Sequence, residues 1–77
     1  MSHAIAQEVD ARGLNCPLPI LRIKKAMNGI GSGEVVKMFA TDPGSVKDME
    51  AFCSQTGNQL VESGEEGGSF TFLVMKG

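Results

Sequence analysis

The sequence predicts a two-layer α/β sandwich in the order β-α-β-α-β-β: a mixed four-stranded sheet with two helices on one face. Three observations carry that prediction. Two stretches with apolar residues at helical spacing each follow a short apolar run, the pattern of strands alternating with helices. The run from Glu34 to Thr41 is apolar on most of both faces, as a central strand must be. A polar, glycine-containing segment then separates two final strand-like runs, which is a hairpin signal. With 77 residues the chain is expected to form one domain, 1–77, with a thin core.

In order, Ile5 to Ala11 read as the first strand, with Ile5, Val9 and Ala11 on one parity and Glu8, Asp10 and Arg12 on the other. Gly13 breaks it. The first helix is expected from Pro17 to about Asn28, with Asn28-Gly29 as the stop and Ile30 folding back after a left-handed glycine. Ile20, Ile23, Met27 and Ile30, with Ala26, make its core face. The second strand places Val36, Met38 and Ala40 on one face and Val35, Lys37 and Phe39 on the other. A strand–helix–strand unit of this kind implies parallel pairing.

Thr41-Asp42-Pro43-Gly44-Ser45 is turn chemistry opening a second helix. Either Asp42 caps it with Pro43 at the first position, or Ser45 caps it with Asp48 three residues on. Val46, Met49, Phe52 and Cys53 form its buried stripe, and Gly57 ends it. Gln59 to Ser63 and Ser69 to Met75 are the last strands, joined by Gly64-Glu65-Glu66-Gly67-Gly68.

The stretch richest in chemistry is Gly13-Leu14-Asn15-Cys16-Pro17-Leu18-Pro19. Proline is tolerated in a first helical turn because its missing N–H would have had no intrahelical partner. Pro17 and Pro19 therefore place Cys16 at the expected N-cap, where the positive end of the helix dipole favours the nucleophilic thiolate. The prolines also remove donors, leaving the N–H groups of Leu18 and Ile20 near the sulfur. Gly13, Pro17 and Pro19 thus act as site-shaping residues for a reactive Cys16. Cys53, on an apolar stripe, reads as a core cysteine.

Leu18, Leu21, Arg22 and Lys25 follow a second helical rhythm, half apolar and half basic, next to Cys16. This is a candidate docking surface, set against the plainer reading that the leucines tuck under a loop or stand alone on the surface. Arg22, Lys24 and Lys25 form a basic cluster suited to an acidic partner, set against an ordinary solvated helix face.

Composition narrows the function classes. The net charge is −2 with no Trp or Tyr, so the global basic footprint of a nucleic-acid binder is missing. The single histidine, His3, is assigned no role, and the cysteine spacing matches no zinc pattern. No metal or other cofactor is expected. Gly31-Ser32-Gly33 precedes a strand, which excludes a Walker or dinucleotide loop. No Cys-x-x-Cys pair is present for thioredoxin-like cycling. With no apolar run of membrane-span length and no signal-peptide pattern, a cytoplasmic location with free thiols and no membrane partner is expected.

The run Asp10-Ala11-Arg12-Gly13-Leu14-Asn15-Cys16-Pro17-Leu18-Pro19 resembles the TusA/SirA/YedF family, marked by Cys-Pro-x-Pro opening the first helix. Ala40-Thr41-Asp42-Pro43 and Phe70-Thr71-Phe72-Leu73-Val74 are similar to it as well, so the likeness covers nearly the whole chain. The resemblance implies the same sandwich fold. It also implies a sulfur carrier with no complete active site of its own, in which Cys16 takes sulfane sulfur as a persulfide. The donor would be a cysteine desulfurase or a rhodanese, and the acceptor a protein of the TusBCD/DsrEFH type. The routes implied are tRNA 2-thiouridine synthesis, molybdenum cofactor assembly and oxidative sulfur metabolism. Two other classes stand beside it: a thiol-based redox sensor acting through Cys16, and a non-catalytic RNA- or protein-binding module.

Overall fold

The computed structural model describes residues 5–77, so His3 lies outside the described residues. The elements are β1 (Ile5–Ala11), α1 (Leu18–Asn28), β2 (Val35–Ala40), α2 (Ser45–Thr56), β3 (Gln59–Glu66) and β4 (Ser69–Met75). The sheet order is β1-β2-β4-β3. β1 and β2 pair in parallel, while β2–β4 and β3–β4 are antiparallel. The expected mixed four-stranded sheet and element order are therefore present, with β2 in a central position. That position explains its composition: Val35, Val36, Met38 and Ala40 are all buried.

Both helices lie on the sheet face made by Ala11, Val36, Met38, Ala40, Phe72 and Val74. Ile23, Ala26, Met27 and Ile30 of the first helical segment and Met49, Phe52 and Cys53 of α2 complete the core. Ile20 and Val46 pack at its margin, half-buried. The helical periodicities thus select the inward faces correctly, and apolar burial on one side of the sheet holds the layers together.

Four local expectations are corrected. Ile5 pairs with Val35, whereas Gln7 pairs with Val36. The extra residue between them is a bulge, and it turns Ile5 onto the helix-free face, opposite Val9. β3 continues through Glu66 instead of stopping at Ser63, so Gly64, Glu65 and Glu66 pair with Thr71, Phe70 and Ser69. The loop shrinks to Gly67-Gly68, with φ of 59° and 83°. Two left-handed residues in succession match the right-handed twist of a tight hairpin, and glycine adopts both without steric cost.

Gly29 closes α1 at φ −93°, not in the left-handed region. Its N–H donates to the Ala26 carbonyl at 3.0 Å, and Ile30 donates to Met27, so a tightened last turn satisfies the carbonyls instead. The cap of α2 matches neither expected form. Its N-cap is Gly44 and Ser45 is the first helical residue. The Ser45 hydroxyl is buried without a hydrogen-bond partner and therefore caps nothing. Gly57 ends α2 in the left-handed conformation, as expected.

Burial separates structural from surface side chains sharply. Phe72→Ala, at a fully buried site, is expected to lower unfolding free energy by about 3–5 kcal/mol. Leu21→Ala, at a site 54% exposed, should change it by no more than about 0.5 kcal/mol. Urea titrations of the two variants, read at unchanged slope, check this contrast.

Candidate functional site

The site begins with strand register. β1 and β2 run in parallel, and their last residues, Ala11 and Ala40, lie opposite each other. Both chains therefore leave the sheet at the same end and side by side. In α/β sheets this carboxyl end is where functional loops gather. Here it brings together the segment before α1, with Cys16, and the segment before α2, with Asp42.

Two hydrogen bonds join these loops. Gly13 N–H donates to Thr41 Oγ1 at 2.8 Å, and Cys16 N–H donates to Asp42 Oδ2 at 2.9 Å. Gly13 sits at φ 80°, a left-handed turn that a side chain would strain, consistent with its expected site-shaping part. The other Asp42 oxygen accepts from Gly44 N–H at 3.1 Å, and the Asp42 carbonyl accepts from Ser45 N–H at 2.9 Å. Asp42 is thus more than a turn residue. One carboxylate fixes both the start of α2 and the backbone of Cys16.

Cys16 stands one position earlier than expected. Pro17 is the N-cap, with φ −99°, and Pro19 lies buried in the first turn. The Cys16–Pro17 peptide bond is cis. Both cysteines are free thiols, Cys16 exposed and Cys53 buried.

The electrostatics of the thiol also differ from expectation. Its pKa is raised above the ordinary cysteine value, first by the Asp48 carboxylate as acceptor for the S–H, then by partial desolvation and by the charges of Asp48 and Asp42. A hydrogen bond to the protonated form and nearby like charge both disfavour the thiolate. The helix end does not offset them. Cys16 lies outside the capping position, and Pro17 and Pro19 contribute no N–H. Burial likewise pushes the Cys53 thiol up.

A groove of about 800 Å³ runs between β1 and α1; Leu14 and Leu18, two positions either side of Cys16, line it, and Cys16 itself does not. Leu18, Leu21, Arg22 and Lys25 all line it, facing Glu8, Val9, Asp10 and Leu14. Leu18 and Leu21 are 46% and 54% exposed, so they do not tuck beneath a loop. Lys24 does not line the groove, which separates it from the other two cations of the cluster. Asp10 is already engaged: Arg12 donates to both of its oxygens, and this pairing lowers its pKa to about 2. Among the described residues, no group of three His, Cys, Asp or Glu is placed to hold a metal ion.

Residues 7–76 match the family model described as "Sulfurtransferase TusA". The chain belongs to the TusA family. It is 66% identical over 70 residues to a protein named sulfur carrier protein TusA from Allochromatium vinosum, covering 91% of this chain and 92% of that one. A protein of the same name from Pseudomonas aeruginosa is 36% identical, covering 99% and 96%. The crystal structure of a SirA-like protein from Desulfitobacterium hafniense superposes with a TM-score of 0.81 at 27% identity, covering 92% and 97%. The family and fold expected from the Cys-Pro-x-Pro run are thereby established.

The carboxylates missed by sequence reading are Asp42, seen only as a turn and cap residue, and Asp48, seen only as a capping-box member. In a TusA-family chain with this geometry, alkylation of Cys16 by neutral iodoacetamide should keep rising past the pH at which free cysteine levels off. Asp48→Asn should move that rise to lower pH. Rates measured from pH 7 to pH 10.5 in a Cys53→Ser background check the sign, and a wild-type profile below that of free cysteine contradicts it.

Proposed function

We propose that this chain is a sulfur carrier that holds sulfane sulfur as a persulfide on Cys16. The observation that supports the reading most strongly is an exposed free thiol, fixed by its backbone at the junction of two loops. Family membership and the names of the relatives agree with it.

The chemistry is sulfur exchange. The Cys16 thiol loses its proton to solvent, and the thiolate attacks the terminal sulfur of a donor persulfide. A sulfur–sulfur bond forms to Cys16, the donor's own sulfur–sulfur bond breaks, and the donor cysteine leaves as thiolate. An acceptor thiolate then repeats the step on the Cys16 persulfide, and Cys16 leaves. No side chain need act as acid or base when the leaving thiolate is already stable.

The donor in this reading is a cysteine desulfurase or a rhodanese. The acceptor is of the TusBCD/DsrEFH type, serving tRNA thiolation, molybdenum cofactor assembly or oxidative sulfur metabolism. The protein acts in the cytoplasm; among the described residues no helix is long and apolar enough to cross a membrane. Leu18, Leu21, Arg22 and Lys25 form the docking side of the groove. A peroxide sensor is a poorer fit. Such sensors favour a low thiol pKa and a nearby resolving cysteine, whereas the Cys16 pKa is raised and Cys53 is buried.

Incubation with a cysteine desulfurase and cysteine, or with a rhodanese and thiosulfate, should add one sulfur atom of mass to the peptide containing Cys16. Cys53→Ser should keep the adduct and Cys16→Ser should lose it; the reverse pattern rejects Cys16 as the carrier. Leu21→Glu should slow loading at limiting donor by about five- to tenfold, as for a residue central to an interface, while iodoacetamide reactivity stays unchanged.

A further inference from the structure

The sheet has two edges. β3 guards one with the exposed Glu62, Glu65 and Glu66 and an irregular register between Leu60 and Glu62, features that discourage a further strand. β1 forms the other, and the groove between β1 and α1 runs along it. Four consecutive β1 residues, Gln7 to Asp10, line that groove. Side chains alternate between the two faces of a sheet, so four in succession meet one groove only along the strand's outer edge. Among the described residues, the backbone of Gln7 to Asp10 makes no hydrogen bond outside its ladder with β2. Its outward N–H and C=O groups are free to pair.

The opposite wall is graded. β1 ends at Ala11 and α1 begins at Leu18, so the loop carrying Cys16 closes one end of the groove. Leu18 and Leu21, both exposed, stand toward that end, and Arg22 and Lys25 stand farther along α1. Neither cation takes part in a salt bridge among the described residues. From Leu18 to Arg22, and from Leu21 to Lys25, the helix rises by about 6 Å. Alternate residues of an extended strand are about 6.6 Å apart, so successive side chains on one face of an added strand match the apolar and basic pairs.

We infer that the β1 edge is a peptide-binding site. An extended segment of the sulfur donor adds there as a fifth strand, with an acidic and an apolar side chain two residues apart turned toward α1. The identity of the occupant rests on the sulfur-carrier reading; the backbone mode and the side-chain pattern are added to it. Main-chain hydrogen bonds to β1 supply affinity, and the two side chains fix register and direction. The acidic residue meets Arg22 and Lys25, and the apolar one lies on Leu18 and Leu21, at the end closed by the Cys16 loop. Val9 packs against the core, so Glu8 and Asp10 point to the helix-free face, where Glu8 favours a basic residue on the added strand. A second copy of this chain is a poor occupant. An antiparallel β1–β1 pair would set the Glu8 and Asp10 of both copies side by side, and like charges across a strand pair are destabilising.

The probe is the blocked peptide Thr-Asp-Lys-Leu-Thr, with its reversed sequence Thr-Leu-Lys-Asp-Thr because an edge accepts either strand direction. The full chain, kept reduced, is titrated to about 5 mM peptide and followed by amide NMR, a range that captures weak binding. One of the two peptides should shift the amides of Gln7 to Asp10 and Leu18 to Lys25 and slow hydrogen exchange in β1. Thr-Lys-Asp-Leu-Thr, of the same composition in the opposite phase, should not. Arg22→Glu/Lys25→Glu should abolish the response. N-methylation of one alternate set of peptide amides should abolish it as well, and methylation of the other set should leave it.

No shift with either peptide overturns the proposal, as does a response that survives both methylation patterns. Movement of the β1 amides with protein concentration alone also overturns it and gives the edge to a second copy. The binding peptide should further slow sulfur loading of Cys16 several-fold from a persulfidated cysteine desulfurase or rhodanese at limiting concentration. Binding that leaves loading from both unchanged overturns the assignment of the edge to the donor. If nothing loads even without peptide, the carrier reading fails, and the titration still decides whether the edge takes a fifth strand.

Discussion

The parallel register of β1 and β2 is the constraint on which the site depends. Because Ala11 and Ala40 end their strands opposite each other, the loops that follow are neighbours even though Cys16 and Asp42 are 26 positions apart. A shift of one residue would turn the apolar side chains of an entire strand to the wrong face, so core burial enforces the register. The same burial that orders Val36, Met38 and Ala40 therefore also sets the distance from the Cys16 amide to the Asp42 carboxylate. Packing energy on one side of the sheet is converted into geometry at its end.

What this geometry provides is presentation, with little activation. The thiol is exposed and its backbone is tied at both Gly13 and Cys16, while nearby carboxylates raise its pKa. A self-sufficient thiol enzyme arranges the reverse, pairing its cysteine with a cation or a well-formed helix N-terminus. For a carrier, a subdued thiol is an advantage, because an ionised one would react with oxidants while the unloaded protein awaits its donor. In the function proposed above, the open groove lined by Leu18, Leu21, Arg22 and Lys25 is the surface that donor and acceptor would use in turn.

Much of this was legible in the sequence because it rests on local periodicity. The inward faces of both helices, the central place of β2 and the position of Leu18 and Leu21 off the core face all follow from which residues recur at helical or strand spacing; that no loop covers the two leucines does not. The resemblance carried by Cys16-Pro17-Leu18-Pro19 supplied the family. The misses are of another kind. The bulge that reverses Ile5, and the pairing that carries β3 to Glu66, depend on a neighbouring strand. The acidic surroundings of Cys16 depend on two segments meeting at the sheet end. Asp42-Pro43-Gly44 carries a strong turn signal, and that signal hid the fact that its carboxylate reaches the amide of another loop. A parallel β1–β2 pair, once inferred, was the available clue that the two loops would touch.

The central claim is that sulfur bound at Cys16 is passed on. The most direct measurement is a single-turnover chase. The protein is loaded with radiolabelled sulfane sulfur, the donor is removed, and an acceptor protein of the TusBCD/DsrEFH type is added. Label should leave Cys16 and appear as persulfide on an acceptor cysteine, with no sulfide released on the way. Label that stays on Cys16, or escapes only as free sulfide, would contradict a carrier and leave the persulfide a dead end.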